Sequence, residues 1–334
     1  MKILLVDVDS KIPNIALGRI STWHKSQGHN VEMMKLNMRV RMTNVRTRII
    51  DCSKYDKVYA SNIFNINRSK FKIINCDDVS IGGVGSINPL TKLPPQMEDL
   101  EVDYSLYPNN KKSYGFITRG CIRKCSFCVV PKIEGNLSLY SSLDRIIKHK
   151  IVIFLDNNIL SYKGHMDILR DLRDRKIQCQ FNQGLDIRLV NDENAKLLSE
   201  LNYFGKYIFA FDDVRYAKSV EKGTKIFQKY MPGKWRMRFL TYYHPNNPLH
   251  ELVYRVDWAK RNFVYPFIMR DLDCKSSANA EFIRLYYTWT GSVNGAFCVS
   301  SFPQYMYHNK KNGYFKGDVS EVLNTYRLAK KGLI

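Results

Sequence analysis

The chain has 334 residues, and its 52 Lys+Arg against 31 Asp+Glu give a formal net charge of +21. A hydrophobic content of 45% with 13% aromatics excludes a disordered chain, and eight cysteines are too few for a disulfide scaffold. No apolar run approaches the roughly 18–20 residues of a membrane span, and the opening MKILLVDVDS meets Asp7 and Asp9 too early for a secretory apolar segment, so a reducing cytoplasm is the expected setting.

Taken in chain order, the β-branched, apolar run at 2–8 has the pattern of a buried strand. Pro13 opens a helical pattern through Ile15, Ile20 and Trp23 that stops at Gly28. Strands follow at 30–36, 57–64 and 72–76, and Gly82, Gly83 and Gly85 punctuate a turn. Strands alternating with helical segments imply parallel pairing, so residues 1–108 are expected to form a small doubly wound, Rossmann-like domain. Pro89, Pro94 and Pro95 mark the connection out of it.

From 113 the alternation resumes at longer spacing. Strands are expected at 113–120, 151–158, 177–184, 207–213, 236–244 and 263–270, with amphipathic helices near 141–149, 164–175, 192–202, 215–230 and 248–261. Six β/α units in a row fit a partial TIM-type barrel over 109–274, with active residues at the carboxyl ends of its strands. Polar residues gather at those ends: Asp156, Asn157 and Asn158; Asn182 and Gln183 with Asp186 and Arg188 just beyond; Asp212 and Asp213; His244; Arg270 and Asp271. Each is also a type that caps a following helix, so their shared position is what marks a site. Residues 275–334 form a C-terminal extension with aromatics at Phe282, Tyr286, Tyr287, Trp289, Phe297, Phe302, Tyr305 and Tyr307. Such a segment is either a lid or substrate platform, or packing that closes the open edge of the barrel. The fold class is α/β: a doubly wound domain, a partial (β/α)6 barrel and a closing extension.

The charge is unevenly spread. Residues 1–108 carry 15 basic and 11 acidic residues, 109–274 carry 29 and 17, and 275–334 carry 8 and 3, so the net values are +4, +12 and +5. No run of five or six like charges occurs. A basic barrel suits a nucleic-acid or nucleotide partner; a basic coding bias gives the same total with no functional meaning.

The strongest signal is RGCIRKCSFCVVP, which sets Cys121, Cys125 and Cys128 at C-x3-C-x2-C spacing directly after the first barrel strand. Three thiolates on one tight loop hold three corners of a four-iron cluster and leave the fourth iron open. A structural zinc site wants a fourth ligand, and nothing at finger-like spacing follows. A zinc-cysteine module that only binds nucleic acid is the non-enzymatic alternative.

This loop is similar to the signature of the radical S-adenosylmethionine (radical SAM) superfamily, with Phe127 at the motif's aromatic position. The resemblance covers roughly 113–270. It implies a 4Fe–4S cluster on Cys121, Cys125 and Cys128, whose open iron binds the amino and carboxylate groups of S-adenosylmethionine. It further implies one-electron cleavage of that cofactor to methionine and a 5′-deoxyadenosyl radical, with an electron donor such as flavodoxin or ferredoxin. Phe127 would lie against adenine. Where the family has a Gly-Gly-Glu-like segment this chain has LDNN, which makes Asp156 the substitute acceptor for the cofactor's amino group, with Asn157 beside it. Asp186, Arg188 and Asp212 fall to the ribose hydroxyls and the methionine carboxylate. Residues 1–108 resemble the cobalamin-binding domain that precedes the barrel in one radical SAM subgroup, although the Asp-x-His-x-x-Gly pattern is missing. A cobalamin-dependent methyltransferase of a small metabolite or peptide is therefore an alternative. The tRNA methylthiotransferases carry three further cysteines before the barrel, where this chain has only Cys52 and Cys76. Cys179, Cys274 and Cys298 are scattered and read as small buried apolar residues.

Overall fold

Leucine, isoleucine and valine in succession leave a strand no face to give to water, and residues Lys2–Asp7 form β1 with every side chain after Lys2 buried. The computed structural model describes residues 1–38, 46–292 and 295–334. The chain divides into two compact units, Met1–Leu155 and Asp156–Ile334.

In the first unit β1 is followed by α1 (Ile15–Ser26), β2 (Asn30–Lys35), β3 (Arg48–Asp51), β4 (Lys57–Ser61), β5 (Phe71–Ile74) and β6 (Val79–Gly82). A parallel sheet runs in the order β2-β1-β4-β6. The Asn14 side chain caps α1 by accepting from the Leu17 N–H at 3.1 Å. Beyond α1 the chain turns at Gly28, at φ +74°, a value that costs glycine little. Alternate residues of β1 serve opposite faces. Ile3 and Leu5 pack with Leu17 and Ile20 of α1, whereas Leu4 and Val6 pack with Ile50 and Phe71. Among the described residues that second face is covered by a two-stranded parallel sheet, β3–β5, and not by a second helix. The expected strand at 72–76 belongs to this smaller sheet. The fourth place in the main sheet goes to Val79–Gly82, which has no buried residue and so carries no apolar pattern.

The unit continues with α2 (Pro95–Glu98), β7 (Lys112–Gly115), β8 (Thr118–Arg119), α3 (Val130–Ile133), β9 (Ser138–Leu139), α4 (Leu143–Ile146) and β10 (Ile151–Phe154). β7 and β10 pair in parallel, β8 and β9 antiparallel. The helix expected over 141–149 is one turn. The Ser113 hydroxyl oxygen takes the N–H groups of Lys148 and His149 at 2.8 and 2.9 Å, which draws the chain away from further helical bonding.

At the carboxyl edge of the main sheet, Asp9 is 3% exposed. It accepts from Asn62 Nδ2, Ile63 N, Phe64 N and Asn67 Nδ2 at 2.8–3.1 Å. Near the end of α1, buried His24 sets Nδ1 2.8 Å from His29 Nδ1 and Nε2 3.2 Å from the Tyr59 hydroxyl. Burial, then the charges of His29 and Lys57, push the His24 pKa down to about 4. A histidine held neutral in the fold takes up protons on unfolding, so its contribution is present above the ordinary value near 6.5 and fades as pH falls from there through about 4. A His24→Asn variant is expected to flatten the pH 4–6.5 limb of the denaturation midpoint profile; an unchanged slope would refute this.

The second unit contains α5 (His165–Asp174), β11 (Gln178–Phe181), α6 (Asp192–Glu200), β12 (Tyr207–Ala210), α7 (Ala217–Tyr230), β13 (Met237–Tyr243), α8 (Leu249–Arg261) and β14 (Tyr265–Arg270). It ends with α9 (Ala280–Thr290), α10 (Ala296–Val299), α11 (Phe302–Lys311) and α12 (Val319–Lys330). β12, β13 and β14 form a parallel sheet in sequence order. Single parallel bridges, Cys179 to Tyr203 and Leu185 to Phe209, run the β11 segment beside β12. No sheet among the described residues closes on itself into a barrel. Along β13, Met237, Phe239, Thr241 and Tyr243 are buried, while Arg238, Leu240 and Tyr242 take the other face. The aromatics of the C-terminal segment are packing: Phe282, Tyr286, Trp289, Phe297, Phe302 and Tyr326 share one core with Leu252 and Val256 of α8 and Ile268 of β14. Tyr307 is exposed. Among the described residues no helix is long and apolar enough to cross a membrane.

Candidate functional site

The cysteine loop in the first unit is built from its ends inward. β8 and β9 pair Thr118 with Leu139 and Arg119 with Ser138, which ties the loop's base. The Glu134 carboxylate accepts from the Gly120 N–H at 2.9 Å and pairs with Arg119 Nε at 3.1 Å. The Arg119 guanidinium also lies 4.2 Å from the Phe116 ring centre. Gly120 has φ +80°, and a Cβ there would fall on the Asn136 carbonyl. The residue before Cys121 must therefore be glycine for the loop to close. Cys121 and Cys128 are half-buried and Cys125 is exposed. The Arg123 N–H points at Cys121 Sγ at 3.4 Å, and the Cys128 N–H donates to the Cys125 carbonyl at 3.0 Å. Phe127 is 37% exposed on the same loop. No disulfide forms among the eight cysteines.

Three accessible thiols on one tied loop fit the donor set of an iron–sulfur cluster. Among the described residues, three candidate ligand atoms within 4.8 Å of one another occur at His244, Asp271 and Asp273.

Glu134 was invisible to spacing arguments because it acts through a fold-back contact. Its removal is expected to loosen the loop and lower the iron retained after reconstitution severalfold. Glu134→Gln, which keeps an acceptor for the Gly120 N–H, should recover part of it. Equal iron content in Glu134→Ala and the parent chain would dismiss the role.

The expected strand-end residues lie in the second unit. Asp156 is buried and Asn157 half-buried. The buried Asn158 side chain accepts from the Asp186 N–H at 3.2 Å. Asp186 and Arg188 are brought directly together: Arg188 Nε and Nη2 donate to the two carboxylate oxygens at 2.7 and 2.9 Å. The Arg188 guanidinium lies 4.5 Å from the Tyr216 ring centre. The expected reader of a ligand carboxylate thus already holds a carboxylate of its own chain. Asp212 accepts from the Tyr242 N–H at 2.7 Å. Burial raises its pKa, against that hydrogen bond and the nearby charges of Arg255 and Arg188. Arg255, 1% exposed on α8, donates through Nη1 to the carbonyls of Phe211, Asp212 and Tyr242 at 2.9–3.2 Å. It pins the carboxyl ends of β12 and β13, a role that no local sequence pattern announces.

The His244, Asp271 and Asp273 group is satisfied by hydrogen bonds. The Asn246 N–H donates to His244 Nδ1 at 3.1 Å. The ring proton therefore sits on Nε2, 3.4 Å from Asp273. The lone pair a metal would need is turned to the backbone. Asp271 accepts from the Tyr242 hydroxyl at 2.7 Å, and burial followed by that carboxylate pushes the Tyr242 pKa up to about 12.

A cobalamin would be expected at the carboxyl edge of the first unit's sheet. Asp9 and its four donors occupy that edge, while His24 and His29 lie at the amino end of β2. The residues do not fit a histidine-ligated cobalamin.

No protein-family model matches the chain, and no curated protein matches it. Among solved structures, OxsB, a cobalamin-dependent S-adenosylmethionine radical enzyme determined with aqua-cobalamin and S-adenosylmethionine bound, is similar at a TM-score of 0.48 with 11% identity. The match covers 89% of this chain and 56% of that one, so the chain spans little more than half of that protein's length. The chain itself has a mixed α/β fold built mainly on parallel sheets.

Proposed function

We propose that this chain is a radical S-adenosylmethionine enzyme. The observation that supports the reading above all others is the cysteine loop: three accessible thiols at C-x3-C-x2-C spacing, opened by an obligatory glycine and tied at its base by Glu134. Cys121, Cys125 and Cys128 would hold a 4Fe–4S cluster as thiolates. When bound, the cluster and S-adenosylmethionine supply reductive cleavage to methionine and a 5′-deoxyadenosyl radical. Within the second unit, β11 to β14, alternating with helices, are what we assign to the partial barrel.

The remaining assignments concern what this chain's own groups do. Phe127 offers an apolar ring to adenine. Asp156 and Asn157 offer acceptors to the amino group. The Asp186–Arg188 pair acts as one rigid polar unit toward the ribose and carboxylate, since its members already fix each other's geometry. Asp212, whose proton is held more tightly by burial, offers a second oxygen to a ribose hydroxyl. Arg123, Lys124 and Lys132 beside the cysteines suit a small redox protein or an anionic substrate such as a nucleotide, and equally steady an anionic cluster.

Anaerobic reconstitution with iron and sulfide, followed by dithionite and S-adenosylmethionine, is expected to yield 5′-deoxyadenosine by mass spectrometry. Zinc without iron or sulfide in anaerobically purified protein would favour the nucleic-acid-binding module instead.

A further inference from the structure

At the amino ends of β12 and β13, opposite to the residues discussed above, a cavity of about 410 Å³ is lined by Gln180, Gly205, Lys206, Ile208, Trp235, Arg236 and Arg238. Lys206 lies six positions before Asp212, and Arg236 six before Tyr242. At about 3.3 Å per strand residue, this end lies roughly 20 Å from the strand-end polar group. The alternation of β13 explains why two arginines reach one hollow: Arg236 and Arg238 are spaced by two and both exposed. Lys206 Nζ donates to the Trp235 carbonyl at 3.1 Å and sits 4.1 Å from the Tyr265 ring centre. Gly205 brings its turn onto Gln180, since a Cβ there would stand 2.7 Å from Gln180 Nε2.

Three cations line this hollow and no carboxylate does. Several other arginines of the unit are ion-paired, among them Arg170 with Asp167, Arg173 with Glu200, Arg215 with Asp213 and Arg284 with Glu281, whereas Arg236 and Arg238 come together in one hollow. Among the described residues neither Arg236 nor Arg238 has such a partner. Arg236 reaches only the Met231 sulfur at 3.8 Å, and Arg238 lies over Phe267 at 6.0 Å. Burial and then Arg238 depress the Lys206 ammonium, opposed by Cys298 and aided less by Arg236. Like charges gathered without counter-charge raise the free energy of the folded chain, and an anion relieves them. Two guanidinium forks, an ammonium and a carboxamide are the donors that a tetrahedral oxyanion accepts from. The volume falls within the range of small-molecule sites, and Trp235 supplies an aromatic wall.

We propose that this hollow is a phosphoryl-group site that takes the phosphate of a nucleotide-sized monoester. The inference rests on the second unit alone and does not depend on the cysteine loop. Titration calorimetry of the full chain at low salt, with inorganic phosphate, adenosine monophosphate and a single-stranded RNA oligomer as separate probes, tests it. Both small phosphates should saturate one site, weakened by added salt. Tighter binding of the monoester identifies an ester as the source of the phosphate; equal binding identifies the free anion. Arg236→Gln and Arg238→Gln should each weaken binding about tenfold or more, the value of a charge-assisted hydrogen bond. Lys234→Gln, a neighbouring lysine outside the lining, should bind as the parent does, and melting curves check that each variant is folded. Absence of saturable binding by either small phosphate would overturn the proposal. So would equal binding in folded arginine variants, or binding of the RNA alone. Deoxyadenosine formation, measured in parallel, reports on the cysteine loop and keeps the two readings separable.

Discussion

Replacing any one of Cys121, Cys125 or Cys128 with alanine is expected to bring deoxyadenosine formation down to the no-protein background. The reconstituted protein should also lose its brown colour and most of its iron. The reason is one of valence. Three thiolates already leave one iron of a cubane without a protein ligand, and two leave a second exposed to solvent and loss. The control lies in the same chain: Cys179 is fully buried and burial pushes its thiol up to about 12, so it is neither ionised nor reachable. Cys179→Ala should keep the iron and lose only packing. Retained iron and retained deoxyadenosine in any of the three loop variants would end the proposal.

Arg255→Met is expected to have the largest effect on folding. The methionine fills much of the same volume but leaves the carbonyls of Phe211, Asp212 and Tyr242 with no guanidinium. A buried polar group left unmatched costs about 1–3 kcal/mol, and three of them approach a typical domain's whole stability of about 5–15 kcal/mol. Arg255→Lys should recover part of the loss, because Nη1 alone meets all three carbonyls and an ammonium carries three donors. The measurement is the thermal midpoint with burial of Asp212 as its companion. If Arg255 is what compensates that carboxylate, an Asp212→Asn change on top of Arg255→Met should recover part of the loss. A melting temperature unchanged within a degree or two would remove Arg255 from this role.

Much of this arrangement could be read along the chain. The runs at 2–8, 30–36, 207–213, 236–244 and 263–270 carry strong apolar patterns, and each contains a strand. The cysteine spacing stands in the sequence itself. What escaped did so for definable reasons. Arg48–Asp51 buries one residue and Val79–Gly82 none, so neither carries the apolar run that reveals the equally short Tyr207–Ala210. The helix expected over 141–149 lost to Ser113, a side chain more than thirty positions away. Asp186 and Arg188 look like two independent ligand readers in sequence, and only their rotamers reveal that each answers the other. Glu134 and Arg255 act by contacts that have no local signature, one by closing a loop and one by reaching from a helix to two strand ends.

The way the cysteine loop is fastened bears on the protein's life in air. Its base is held by the pairing of β8 with β9 and by Glu134, and none of those bonds involves iron. In small zinc modules metal binding and folding are one reaction, so stripping the metal unravels the chain. With the base of this loop tied by protein alone, oxidative loss of a cluster would silence the chemistry without dismantling its receptacle. Such damage calls for a fresh supply of iron and sulfide, and not for a new polypeptide.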